Sequence, residues 1–204
     1  MAPPENYRLC LVTDRALARG RPLTEIVAAA VRGGVTMVQL REKTAATRAF
    51  IEEALALKAL LAPLGVRLLI NDRLDVALAI EADGVHVSQD DMPVALARRM
   101  LGPKAIIGLS ITTIAQISND DVGLADYLGV GPIFAQVTKL DASPPIGLAG
   151  LAKIRGATNK PIMAIGGISA ANAADVRRAG ADGLAVVSAI MAAADPATAA
   201  AALT

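Results

Sequence analysis

The chain has 204 residues, 54% of them hydrophobic but only 2% aromatic, with no Trp. That length allows one sizeable core, at the low end for an eight-fold α/β barrel, built from Ala, Val, Leu and Ile rather than from rings. Lys plus Arg number 20 against 19 for Asp plus Glu, a balance that argues against a general nucleic-acid or anionic-membrane binder and makes any basic site local.

In chain order, Arg8 to Thr13 reads as a first strand and carries the one cysteine, Cys10, as a buried thiol. Asp14 and Arg15 open a polar loop to Pro22. Leu23 to Val31 is helical and stops at Gly33-Gly34. Thr36 to Leu40 is the second strand and runs straight into Arg41-Glu42-Lys43. Thr44 or Thr47 is placed to cap a helix with Phe50, Ala54, Leu57 and Leu61 at helical spacing. Arg67 to Ile70 is the third strand, followed by Asn71-Asp72-Arg73 and a short helix, Leu74 to Ile80. Gly84 to Val87 is the fourth strand, followed by Gln89-Asp90-Asp91, with Asp91 also placed to cap the helix near Pro93. Ala105 to Gly108 is the fifth strand, ending at Ser110, and a helix around Thr113 to Ser118 leads to the sixth, Tyr127 to Val130. A long segment, 133–145, then holds Gln136, Thr138 and Lys139. Leu148 to Arg155 is helical, Pro161 to Ile165 is the seventh strand and ends in Gly166-Gly167, and Ala171 to Ala179 is helical. Gly183 to Val187 is the eighth strand, ends in Ser188, and an Ala-rich helix follows.

Strict alternation of strands and helices implies a parallel sheet with right-handed crossovers. Eight units without a linker favour a closed (β/α)8 barrel, the TIM barrel, as one domain over 1–204. An internal echo supports this: Ala82-Asp83-Gly84, Ala125-Asp126-Tyr127 and Ala181-Asp182-Gly183 each lead into an apolar strand, the fourth, sixth and eighth. Alternate strands share interior layers in such barrels. No run approaches the roughly 18 apolar residues of a membrane span, and no basic-then-apolar leader pattern is present. The expectation is a soluble, cytoplasmic protein with small-molecule partners, no nucleic acid and no membrane; helix lengths leave a homo-oligomer open.

In a barrel the residues after each strand converge on one rim, where active sites lie. Here these are Gln39, Arg41, Lys43, Asn71, Asp72, Gln89, Asp91, Ser110, Thr138, Lys139, Gly166, Gly167 and Ser188. Arg41, Lys43 and Lys139 suit phosphate oxygens. Asp72 and Asp91 are hard oxygen donors of the kind that hold Mg²⁺ against a substrate phosphate. Together they would bind a pyrophosphate. Gly166-Gly167 and Val187-Ser188 form a second candidate anion site, after strands seven and eight. His86, the only histidine, lies between Val85 and Val87 and reads as packed and hydrogen-bonded, with no Ser-His-Asp set around it. Asp90 should point away from Asp91, and Arg98-Arg99 and Arg177-Arg178 read as exposed helix faces.

The stretches Leu11-Val-Thr-Asp14, Val38-Gln-Leu-Arg-Glu-Lys43, Ile70-Asn-Asp-Arg73, Gly84-Val-His-Val-Ser-Gln-Asp-Asp91, Ile107-Gly-Leu-Ser110, Gly129-Val-Gly-Pro-Ile-Phe134, Thr138-Lys139, Ile165-Gly-Gly-Ile168 and Val187-Ser188 span nearly the whole chain. In this order they resemble the thiamine phosphate synthase family. The resemblance implies a (β/α)8 barrel transferase that couples hydroxymethylpyrimidine pyrophosphate with a (carboxy)thiazole phosphate and releases pyrophosphate. It implies that Gln39, Arg41, Lys43 and Asn71 hold the pyrimidine substrate, and that Asp72 and Asp91 bind Mg²⁺. It implies that Ser110 and Lys139 meet the pyrimidine or the leaving group. Gln136, Thr138, Gly167, Val187 and Ser188 would face the thiazole phosphate. Gln136 stands where the family commonly has a hydroxyl residue, which implies altered thiazole binding, and Ile111-Thr112-Thr113 stands where many members have Thr-His-Thr. A thiazole tautomerase on the same barrel would need a proton-shuttling group and no pyrophosphate site. A non-catalytic phosphate-ligand sensor would need no Mg²⁺. The segment 133–145 has the length of a lid.

Overall fold

The computed structural model describes residues 7–135 and 143–204. Eight strands pair in parallel and in sequence order, and β8 closes on β1. They are β1 Leu9–Val12, β2 Met37–Leu40, β3 Arg67–Asn71, β4 Gly84–Val87, β5 Ile106–Ile111, β6 Tyr127–Val130, β7 Ile162–Ile165 and β8 Gly183–Val186. The helices between them are α1 Arg15–Ala18, α2 Leu23–Arg32, α3 Thr47–Leu61, α4 Leu74–Ala79, α5 Val94–Leu101, α6 Asp120–Leu124, α7 Gly147–Gly156, α8 Ala173–Arg178, α9 Ser188–Met191 and α10 Pro196–Ala201. This is the (β/α)8 barrel the alternation predicts.

Two layers divide the core. Between sheet and helices lies an aliphatic cluster that includes Leu9, Leu11, Ile26, Leu57, Ile70, Val85, Leu128 and Leu184, as the composition predicts. Inside the barrel the chemistry differs. Tyr7, Cys10, Met37, Leu69, Tyr127, Met163 and Ala185 fill the axis, and the Tyr7 and Tyr127 rings sit with centroids 5.4 Å apart. The core is therefore not purely aliphatic: both of the chain's tyrosines are spent on the interior.

The Ala-Asp echo has a structural meaning at the bottom of the barrel. Asp83 accepts the Leu68 N–H at 2.9 Å and pairs with Arg67 at 2.7 Å. Asp126 accepts the Ile107 N–H at 2.7 Å and pairs with Arg98 at 2.6 Å. Asp182 accepts the Ile162 N–H at 2.8 Å and pairs with Arg155 at 2.9 Å. The residue before each of these even strands thus ties down an N–H in the first two residues of the odd strand before it. Thr36, just before β2, does the same for β1, its hydroxyl 3.2 Å from the Leu9 N–H. The barrel is four two-strand units, each fastened below by one side chain. A buried N–H left without a partner costs about 1–3 kcal/mol, so each fastening matters to closure.

Several local expectations are corrected. Arg15–Ala18 and Asp120–Leu124 are helical, each started by a side chain, Asp14 accepting from the Leu17 N–H and Asn119 from the Asp121 N–H. The Thr113–Ser118 stretch is a 3-10 turn closed by a reciprocal Thr113–Gln116 capping box. Neither Thr44 nor Thr47 caps α3: Ala46 precedes it without a side-chain bond, while Thr47 accepts from Arg73. Asp91 does not cap α5, because its carboxylate is engaged by Ser88. Arg98 and Arg177 are not free surface residues. Arg98 reaches across to Ala105 O, Gly102 O and Asp126, and Arg177 donates to Leu203 O.

Candidate active site

A cavity of about 590 Å³ opens at the C-terminal end of the barrel. Its wall is made by Gln39, Arg41, Lys43, Asn71, Asp72, Asp91, Ser110, Gly167, Val187 and Ser188, so every described candidate from the sequence meets in one place. Gln136, Thr138 and Lys139 lie outside the described residues, as does part of the segment read as a lid.

The charged half comes from β2, β3 and β4. Arg41 follows β2 directly, and its backbone is pinned just past β1: the Arg41 N–H donates to the fully buried Thr13 hydroxyl at 3.0 Å. Its guanidinium faces Asp14 at 3.7 Å. Glu42, between the two cations, points away from the cavity and accepts from the Thr44 and Ala45 N–H groups and from Arg15. Burial would raise the Glu42 carboxyl, but those donors outweigh it and hold it at about 2.

Lys43 reaches over to Asp72, Nζ to Oδ2 2.5 Å. Asp72 has a left-handed backbone, φ 61°, tolerable for Asp at a cost of about 1–2 kcal/mol. Its N–H donates to the His86 carbonyl at 2.9 Å, which fixes the turn against β4. Asp91 accepts from the Ser88 N–H at 2.7 Å and the Ser88 hydroxyl at 2.6 Å. The two carboxylates feel each other directly. Burial and then the Asp91 charge raise the Asp72 carboxyl against the pull of Lys43. Asp91 is lowered, because the Ser88 donors outweigh its partial burial. Among the described residues no group of three His, Cys, Asp or Glu side chains gathers as a metal cage. A pair of carboxylates suits a hard dication that takes its remaining ligands from water and phosphate, with Lys43, now on Asp72, turning to the phosphate instead. Asp90 is exposed on the same rim.

The floor is neutral. His86 and Gln39 are buried, and Ser110 stands above them at the end of β5. His86 Nδ1 lies 2.8 Å from Tyr127 Oη, and Nε2 lies 2.9 Å from Ser110 Oγ. Burial pushes the imidazole down to about 4, so it is neutral near pH 7. Gln89 donates to the Ser110 carbonyl at 2.7 Å. His86 and Tyr127 are pocket residues that sequence reasoning did not place in the site. Their signal was present in Gly108 and Gly129, whose lack of side chains leaves them room: a Cβ on Gly108 would lie 2.5 Å from His86 Nδ1, and one on Gly129 2.6 Å from His86 Cε1.

Across the ring, Gly166 and Gly167 have φ of 99° and 67°. They are more than a plain turn. A Cβ on Gly166 would lie 2.6 Å from Pro132 Cβ, and one on Gly167 2.7 Å from Phe134 Cβ, so the β6 and β7 exits pack as one layer. Val187 and Ser188 lead from β8 into α9 beside them.

A family model described as Thiamine monophosphate synthase matches residues 9–190. A thiamine-phosphate synthase of Albidiferax ferrireducens is 58% identical over 196 residues, covering 96% of this chain and 90% of its own. One from Chloroflexus aurantiacus is 58% identical over 190 residues, 93% of this chain and 88% of its own. Among solved structures, a thiamine phosphate pyrophosphorylase from Pyrococcus furiosus is similar with a TM-score of 0.88 at 38% identity, covering 98% of this chain and 94% of its own.

Proposed function

The chain belongs to the thiamine monophosphate synthase family and acts as a thiamine-phosphate synthase; we propose that it does so by heterolysis at a cationic, carboxylate-lined rim followed by capture on a neutral floor. It joins the pyrimidine methyl carbon of hydroxymethylpyrimidine pyrophosphate to the ring nitrogen of a thiazole phosphate. The single observation that carries the mechanism is the division of one cavity into an Arg41–Lys43–Asp72–Asp91 side and an uncharged His86–Ser110–Gln39 floor.

Arg41 and Lys43, with Lys139 by family resemblance, bind the pyrophosphate and take up charge as it leaves. Charge placed in advance where it develops in the transition state is what accelerates such a step. Asp72 and Asp91 would hold Mg²⁺, which when bound neutralises phosphate oxygens as a Lewis acid. The C–O electron pair departs with pyrophosphate and leaves a pyrimidine methyl cation whose charge the ring delocalises. Gln39, Asn71 and Ser110 keep that ring in place. Gly167, Val187 and Ser188, with Gln136 and Thr138 by resemblance, hold the thiazole phosphate so that its nitrogen lone pair faces the carbon. The new C–N bond uses that lone pair, so no proton has to move. This agrees with a neutral His86 whose ring nitrogens are both engaged. Among the described residues no helix is long and apolar enough to cross a membrane, and we place the enzyme in the cytoplasm.

Pyrophosphate release is measured with both substrates and Mg²⁺, for the native protein, for Asp72→Ala and with a chelator. Release that collapses in the variant and on chelation supports the activity and the metal site. Release indifferent to both removes the metal from the mechanism, and no release from folded native protein refutes the heterolysis itself.

A further inference from the structure

The neutral floor contains a directional hydrogen-bond chain. Tyr127 is fully buried in the barrel axis. Its hydroxyl carries one proton, and His86 Nδ1 lies 2.8 Å away to accept it. Gln39 is also in hydrogen-bond contact with the phenol; with its amide N–H turned to the phenol oxygen, it leaves the phenol proton to His86. If His86 Nδ1 carried the hydrogen instead, the phenol proton would be stranded in the core, at a cost that native structures avoid. The imidazole, being neutral, then holds its hydrogen on Nε2 and donates it to Ser110 Oγ, 2.9 Å away. With one lone pair so occupied, the Ser110 hydroxyl has its own proton free to point into the cavity.

We propose that Tyr127 and His86 are positioning residues that fix Ser110 as a hydrogen-bond donor, so that the substrate atom it meets is an acceptor: a pyrimidine ring nitrogen or an oxygen of the leaving pyrophosphate. The inference rests on the synthase reading for the substrate, and on Tyr127–His86–Ser110 geometry for the direction. The barrel makes specific room for the chain. Gly108 sits beside His86 in the β4–β5 register and Gly129 beside Ser110 in the β5–β6 register. Cβ atoms there would lie within 2.6 Å of Tyr127 or His86 atoms.

Two measurements test this. His86 is the only histidine, so ¹⁵N NMR of the tag-free protein reports its tautomer without assignment. The expected spectrum is a neutral ring protonated on Nε2 in the native protein, shifting toward a mixture in Tyr127→Phe. A native ring protonated on Nδ1 overturns the proposal, whatever the catalytic result. The second measurement is a double-mutant cycle on pyrophosphate release with Tyr127→Phe and Ser110→Ala. Tyr127→Phe alone is expected to lower kcat about tenfold with little change in KM, and to have no further effect once Ser110 is Ala. An equal loss in both backgrounds would make Tyr127 merely structural. Should Tyr127→Phe fold poorly, the native tautomer still decides. Absence of turnover in the native protein alongside the Nε2–H tautomer would refute the synthase reading and leave the chain standing.

Discussion

Glu42→Ala tests whether the middle residue of Arg41-Glu42-Lys43 is the strut of the proposed pyrophosphate site. The Glu42 side chain is only 5% exposed and lies outside the cavity wall. It accepts from the Thr44 N–H at 2.8 Å, the Ala45 N–H at 3.1 Å and Arg15 Nε at 2.9 Å. A hydrogen bond to a charged acceptor contributes about 1.5–3 kcal/mol when its donor cannot find another partner. Here water reaches the rim and takes over freed donors, and Arg15 keeps Glu53 at 2.5 Å. The net loss is therefore set at about 2 kcal/mol for the group, well below the sum of its bonds. That loss falls on the order of the loop. A substrate that must re-order the loop binds weaker by the competent fraction, roughly 30-fold for about 2 kcal/mol. Steady-state kinetics with each substrate varied in turn should show KM for the pyrimidine pyrophosphate up roughly 30-fold, with kcat and the thiazole KM changed by less than about threefold. A fall in kcat with both KM values unchanged would refute the strut and place Glu42 in the chemistry itself.

Two further outcomes follow from the barrel's lower half and its axis. Asp126→Ala strands the buried Ile107 N–H and should cost about 2 kcal/mol in urea unfolding while leaving room-temperature kinetics unchanged; Asp126→Asn, which keeps an acceptor oxygen, should lose less than half of that. Equal stability of Asp126→Ala and the native protein would discard the fastening role. His86 supplies a pH dependence. Its folded value of about 4 lies below the unfolded 6.5, so the unfolded chain takes the proton first and stability rises with pH across that interval. The contribution is complete above about pH 6.5 and shrinks by roughly 3 kcal/mol as pH falls to 4. Denaturation series between those limits should show that slope in the native protein and a flatter one in His86→Gln. Parallel slopes would mean that His86 is not buried neutral.

The strands were legible because each is a short, mostly apolar run that gives way to polar residues or Gly, which a parallel sheet buried on both faces imposes. The rim was legible because strand ends are fixed once strands are, and the residues after them have to share a mouth. What was not legible depended on partners distant in sequence. Asp83, Asp126 and Asp182 stood out as an echo, yet each acts on an N–H supplied by the preceding odd strand. The fourth member, Thr36, resembles the others in its bond and not in its residue type. The helices Arg15–Ala18 and Asp120–Leu124 are too short to carry a period, and their caps alone mark them. His86 was correctly read as packed, but its two neighbours in the chain of bonds come from β5 and β6.

The two halves of the cavity differ in how firmly they are built. Ser110, His86, Gln39 and Tyr127 stand on strands or at their ends, within a closed sheet whose interior is filled down to Tyr7. Arg41, Lys43, Asp72 and Asp91 stand on the connections that leave those strands. Groups on strands hold position better than groups on loops. On the proposed mechanism that division matches what each half must do. The pyrimidine carbon has to stay where the thiazole nitrogen will meet it, so its ring is read by neutral donors and acceptors fixed in the sheet. The pyrophosphate has to move away as the C–O bond lengthens, and long cationic side chains such as Lys43 can move with it. A cation on the floor would lie against the carbon where positive charge develops and raise the barrier to heterolysis. The uncharged chain Tyr127–His86–Ser110 can orient the ring without that cost, which is a physical reason for burying the only histidine in its neutral form.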